Sequence, residues 1–197
     1  MRAGNDSSDS NLYLIGFMGV GKSAVGRFVA RLLNMRFIDS DHEIEERAGM
    51  TISSIFETRG EAAFRQMERE FILNGHPENG CVVSCGGGLP IEPGMREILL
   101  SKGVVICLFA SEATIVERTS RNDKRPMLHA EDPAARVRAL LNKRMPVYKK
   151  TGTGISTENR SMQEVASHVV RVYRHEIRRK ALKNSKPNDA PQDESDA

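Results

Sequence analysis

The chain has 197 residues, of which 39% are hydrophobic and 28% charged, with a formal net charge of +3. That length allows one domain with a full core, and no apolar stretch approaches the ~20 residues that a membrane span needs. So mild a positive charge suits an enzyme of anionic small molecules and gives no reason to expect a nucleic-acid or membrane partner.

Residues 1–10 are rich in Ser and Asp, with one Gly, and lack the apolar segment of a signal peptide, so a disordered start and a cytoplasmic protein are expected. Apolar β-type runs then alternate with helical spacing. Strands are predicted over 12–16, 36–39, 81–85, 104–110 and, from a weaker pattern, 154–157. Helices are predicted near 22–34, 52–74, 94–102, 111–120, 133–149 and 161–182. Strands without polar alternation, interleaved with helices, predict an α/β fold with a parallel sheet covered on both faces. Ligands of such sheets bind at the carboxyl ends of the strands.

One domain is expected over 11–183, with two insertions on the binding face. The first is extra helical material over 41–74; the second is a polar, basic, Pro-broken flap or lid over 120–131. The basic stretch 171–183 follows an apolar face of Val165, Val169, Val172 and Ile177, which predicts a docking helix with a solvated basic side. Residues 184–197, with Pro187, Pro191 and several acids, read as a disordered tail. Cys81, Cys85 and Cys107 all fall in apolar runs. The first two would sit ~13 Å apart along a strand, too far for a disulfide, so buried reduced thiols are expected.

The richest motif is residues 16–23, Gly-Phe-Met-Gly-Val-Gly-Lys-Ser, a full G-x-x-x-x-G-K-[ST] octet between a strand and a helix. An octet of this kind arises by accident in on the order of one chain in a hundred of this length, and its strand–helix setting lowers those odds. Its backbone amides and the following helix N-terminus suit an anion. Lys22 can reach the β- and γ-phosphates of a nucleoside triphosphate, and the Ser23 hydroxyl can hold magnesium.

Asp39 and Asp41 end the second strand, two residues apart, so alternation predicts that they point the same way. One could help hold magnesium and the other could meet a substrate hydroxyl, or either could cap the next helix. Arg65 and Glu68 lie one helical turn apart. They make either a surface ion pair or an oriented fork for a substrate carboxylate, with Phe56 and Phe64 as possible pocket walls. Gly86, Gly87 and Gly88 follow the third strand, where three glycines permit a ligand close to the backbone. No Walker B Asp ends that strand, which moves metal duty toward Ser23 and Asp39. Arg125 lies in the flap and could close on transferring phosphates. Arg144 precedes Pro146, which is expected to kink or end its helix and turn the arginine inward.

Taken together, residues 16–23, Asp39 with Asp41, Gly60-Glu61 with Phe64-Arg65, Gly86 to Gly88, Arg125-Pro126, and Arg144 with Pro146 and Tyr148 resemble the shikimate kinase family over about 11–175. The resemblance implies a nucleoside-monophosphate-kinase-like three-layer fold around a five-stranded parallel sheet. It implies phosphorylation of the shikimate 3-hydroxyl by ATP with Mg2+. A monomer is expected from the absence of an obvious association surface in the sequence. By the resemblance, Gly19, Val20, Gly21, Lys22, Ser23 and Ala24 hold phosphates, and Ser23 with Asp39 serves the metal. Asp41, Arg65, the Gly86–Gly88 turn and Arg144 bind shikimate, with Asp41 at the reacting hydroxyl. Lys22, Asp41 and Arg125 carry the chemistry, and Arg118 and Arg160 lie at the base side of the nucleotide. Ala24 stands where the family often has a second hydroxyl. The rival readings are a gluconate or other hydroxy-acid kinase and a non-catalytic nucleotide-binding regulator.

Overall fold

Five apolar runs become five parallel strands, β1 (Asn11–Ile15), β2 (Arg36–Asp39), β3 (Cys81–Ser84), β4 (Gly103–Phe109) and β5 (Thr153–Ser156), ordered β2-β3-β1-β4-β5. This is a computed structural model, which describes residues 10–120 and 132–184. β1 and β3 are buried at every position, which is why their sequences show no polar alternation. The edge strand β5 buries only Ile155, which is why its pattern was weak. Its neighbours Thr153, Gly154 and Ser156 carry no apolar signal.

The helices are α1 (Lys22–Leu33), α2 (Ser40–Ala48), α3 (Ile52–Asn74), α4 (Met95–Lys102), α5 (Glu112–Ser120), α6 (Pro133–Thr151) and α7 (Met162–Asn184). The helices α1 and α7 pack on each other, and α7 also meets β4 and β5. Parallel strands joined by right-handed crossovers place the helices that return the chain in the opposite direction, α4 and α6, on the other face of β4. The result is an α/β/α sandwich. The basic residues Arg171, Arg174, Arg178 and Arg179 lie exposed on α7, opposite buried Val165, Val169 and Tyr173, as the docking-helix pattern requires. Cys81, Cys85 and Cys107 are free and buried, and burial pushes all three thiols upward in pKa.

The helical material expected over 41–74 is two helices: α2, which no predicted helix covered, starts directly at the strand end and stops at Gly49, and α3 starts on the Thr51 cap with the bounds predicted. Within α3, Gly60 has φ 79° and ψ 169°, so the helix is broken there. A left-handed φ of this kind is cheap only for glycine. Pro146 does not end α6, which runs five residues further to Thr151. Beyond the proline, buried Tyr148 and the Thr151 hydroxyl on the Val147 carbonyl hold the last turn, and packing overrides the lost backbone bond.

Register then positions the site. Asp39 stands beside Ser84 at the ends of β2 and β3, and Leu14 beside the same Ser84 from β1. Because β3 lies between β1 and β2, the loop leaving β1 comes level with residues leaving the other two strands.

Candidate active site

The phosphate-loop octet spans the turn from β1 into α1. Its Val20 side chain is buried in the core, so that residue offers a ligand only its backbone. The Lys22 Nζ donates to the carbonyls of Gly16 (2.9 Å) and Phe17 (3.1 Å), which ties the ammonium across the loop. The Ser23 hydroxyl donates to Asp39 Oδ2 at 2.6 Å and lies 3.2 Å from the Ser84 hydroxyl. The other Asp39 oxygen accepts the Asp41 amide as the N-cap of α2. Asp39 thus caps α2, one of the readings considered for it, and also accepts from the Ser23 hydroxyl. The strand ends at Asp39 and Asp41 sits in the first helical turn, so strand alternation is not what orients the pair.

Behind them, the buried Ser40 hydroxyl accepts the Gly86 amide at 2.8 Å and laces α2 to the glycine turn. A Cβ on Gly86 would lie 2.5 Å from Glu68 Oε1 and 2.6 Å from Asp41 Oδ1. Only a glycine lets both carboxylates approach here. Glu68 is 1% exposed, and its Oε1 has no hydrogen-bond partner among the described residues. Burial pushes its carboxyl up to about 7; Arg65 opposes the shift, and Asp41 and Glu92 add to it. Arg65 donates from Nη1 to Glu68 Oε2 at 2.6 Å, so their contact is a buried ion pair and not the surface pair considered from spacing.

Arg144, 7% exposed, enters the same cavity from α6 with its guanidinium 5.9 Å over the Phe17 ring. One turn later the Tyr148 hydroxyl donates to the Gly87 carbonyl at 2.5 Å, so α6 both delivers the arginine and holds the glycine turn. These groups surround a cavity of about 460 Å³ at the carboxyl ends of β1, β2 and β3. Lys22, Ser23, Asp39, Asp41, Arg65, Glu68, Gly86, Gly87, Gly88 and Arg144 all line it. Phe56 and Phe64, 5.1 Å apart between ring centres, wall it, and Phe64 is at the same time core.

The remaining expected residues lie at the rim or elsewhere. Arg118 on α5 donates to the Gly19 carbonyl at 3.3 Å, which sets that helix against the phosphate loop, and Ala24 is half-buried in the first turn of α1. Arg160 is exposed, 3.1 Å from His168 of α7, and does not line the cavity. Its neighbour Glu158 accepts the Ser111 amide and the Thr114 hydroxyl at the start of α5. Arg125 and the flap lie outside the described residues. Sequence reasoning missed Ser40 and Glu92, and gave Ser84 and Tyr148 no task. The available signal for Ser84 is its place at the strand end where a Walker B acid usually stands.

The donor set at Ser23, Asp39 and Ser84 is hard oxygen, and no group of three or more His, Cys, Asp or Glu is gathered for a metal among the described residues. That suits Mg2+, which takes one or two protein oxygens and completes its shell with phosphate and water. Hydroxyl, carboxylate, loop amides and lysine can therefore serve a nucleotide, while the arginines can serve an organic acid.

The family model described as shikimate kinase matches residues 18–174. The chain belongs to the shikimate kinase family. It is accordingly an ATP-dependent kinase. Among its relatives, the shikimate kinase of Thermus thermophilus is 44% identical over 164 residues, covering 82% of this chain and 89% of that one. The shikimate kinase of Thermodesulfovibrio yellowstonii is 42% identical over 83% of this chain and 94% of its own. A solved shikimate kinase from Acinetobacter baumannii, in complex with shikimate, is 35% identical, with a TM-score of 0.75 over 90% of this chain and 96% of that one. A gluconokinase from Sinorhizobium meliloti is only 16% identical at a TM-score of 0.56, and that likeness concerns the fold alone. No helix among the described residues is long and apolar enough to cross a membrane.

Proposed function

We propose that the site transfers the γ-phosphate of ATP to the 3-hydroxyl of shikimate, giving shikimate 3-phosphate and ADP. The observation that carries the reading is the convergence of the phosphate-loop Lys22 and Ser23 with Asp41, Arg65 and Arg144 on one cavity. Gly19, Val20, Gly21, Lys22, Ser23 and Ala24 bind the phosphates, largely through backbone amides and the Lys22 ammonium. Ser23, with Asp39 behind it, would hold Mg2+, which would supply positive charge against the phosphates. We assign Arg118 and Arg160 to the base side of the nucleotide, and Arg125, outside the described residues, to its phosphates.

On the acceptor side, Arg65 and Arg144 hold the carboxylate of shikimate, as suits guanidinium forks. The backbone of Gly86, Gly87 and Gly88 lies against its ring. Asp41 orients the reacting hydroxyl and takes its proton as the phosphoryl group arrives, while Glu68 fixes Arg65 from behind. Most of the catalysis in such a transfer is positioning and charge stabilisation. We assign the whole to one domain over 11–183, with 41–74 as the acceptor-binding insertion. We also assign a cytoplasmic monomer; three buried free thiols support the compartment. A coupled assay of ADP release tests the reaction. Turnover is expected with shikimate and not with gluconate; gluconate preferred over shikimate, or nucleotide bound without turnover, would sink the reading.

A further inference from the structure

Arg65 is almost enclosed by acids. Its side chain is 12% exposed, with Nη1 on Glu68 Oε2 at 2.6 Å and Nε 3.4 Å from Glu92 Oε1. Both Nε and Nη2 donate to one oxygen of Glu61, at 3.2 and 2.7 Å. A planar guanidinium offers a carboxylate two bidentate edges, the Nη1/Nη2 end and the Nε/Nη2 side. At the end, Nη1 is already taken by Glu68 and the Gly88 backbone packs beside it so closely that a Cβ there would fall 2.7 Å from Nη2 and 2.8 Å from Cζ, and nearer still to Nη1. The side is the remaining fork, and Glu61 occupies it.

Glu61 differs from the other acids around this arginine. Its side chain is 60% exposed, against 1% for Glu68, so it can swing into water without stranding a buried charge. It also follows Gly60 directly, where α3 is broken and nothing lies within 4 Å of where a Cβ would stand. The backbone beside it is therefore unpacked on that side.

We propose that Glu61 is an internal competitor for the acceptor's carboxylate: it holds the Nε/Nη2 edge of Arg65 when no acceptor is bound and must release that edge for shikimate to dock. The inference rests on the reading that Arg65 takes the acceptor's carboxylate. It makes Glu61 an affinity-setting residue of the acceptor site, and acceptor binding then includes the exchange of one carboxylate for another on a single fork. In the empty site the same contact keeps Arg65 oriented and its charge matched.

The test is a double-mutant cycle on the full-length enzyme, with calorimetric binding of shikimate and steady-state KM values as readouts. Glu61→Ala and Glu61→Gln are each expected to tighten shikimate binding, about 2- to 5-fold, which is the span of a part-exposed ion pair. The KM for ATP should not move. In an Arg65→Ala background the same changes at Glu61 should give no gain. Weaker or unchanged shikimate binding in both single variants would overturn the proposal and make Glu61 a support for Arg65. An equal gain without Arg65 would overturn it too. A wild-type enzyme that neither binds nor phosphorylates shikimate would instead overturn the functional reading, and this inference with it.

Discussion

Asp41 and Glu68 press on Gly86 from two sides, and the physics of that contact divides their tasks. Asp41 stands at the cavity in the first turn of α2, beside the phosphate-loop residues; Glu68 is walled in with one oxygen unpartnered among the described residues. Asp41→Asn keeps the shape and removes the base. It is expected to lower turnover by about 10²- to 10⁴-fold while ADP binding survives, as equilibrium titration would show. Unchanged turnover would remove Asp41 from the proton transfer. Glu68 calls for a different experiment, because its carboxyl is raised from the ordinary 4.5 to about 7 in the folded chain. A group that holds its proton more tightly when folded stabilises the fold fully below its unfolded pKa. That contribution is lost as pH rises through the folded value. Relative to Glu68→Gln, the wild type should therefore lose stability between pH 4.5 and 7, by up to about 3 kcal/mol. Urea unfolding at pH 5 and pH 7.5 measures it, and an identical difference at both would contradict the shift.

At the scale of elements, α6 works as a lever with two attachments. Arg144 enters the cavity and, one turn on, Tyr148 donates to the Gly87 carbonyl. Burial pushes the Tyr148 hydroxyl well up in pKa, so it remains a donor at any working pH. Tyr148→Phe removes the hydroxyl, with its bond to Gly87 and its contact with Arg144, and leaves the ring in place. The expected outcome is a loss of about 1 kcal/mol in stability, seen in thermal melts, and a raised KM for shikimate with the KM for ATP unaltered. Equal effects on both substrates would mean that the glycine turn serves no particular half of the site. The helix itself was legible from its spacing out to 149; Pro146 alone suggested a kink or an end there, because the packing that holds the last turn comes from distant residues. Likewise the separate α2 was hidden. Its sequence, Ser40 to Ala48, is mostly polar and buries only Ser40 and Ile44, so it shows little helical periodicity.

Across the whole molecule, the donor half is built around one contiguous octet, with Asp39 and Ser84 brought to it from two other strands, and the acceptor half comes from four separated stretches. Residue types at strand ends made both halves readable, since Gly, Asp and Ser collect there for a chemical reason. Strand order was not readable, as pairing partners are remote in the chain. Yet placing β3 between β1 and β2 is what brings Ser84 to the Ser23–Asp39 pair. The burial of the Arg65–Glu68 pair was hidden for the same reason, because spacing gives the contact but not its surroundings. The central claim is that these two halves form one site with separate duties. Steady-state kinetics of Arg144→Ala, with both substrates varied, tests it most directly. The account expects the KM for shikimate to rise about 10- to 100-fold, the span of a lost hydrogen bond to a charged group, while the KM for ATP stays within about twofold. A comparable rise for both substrates, or for ATP alone, would contradict it.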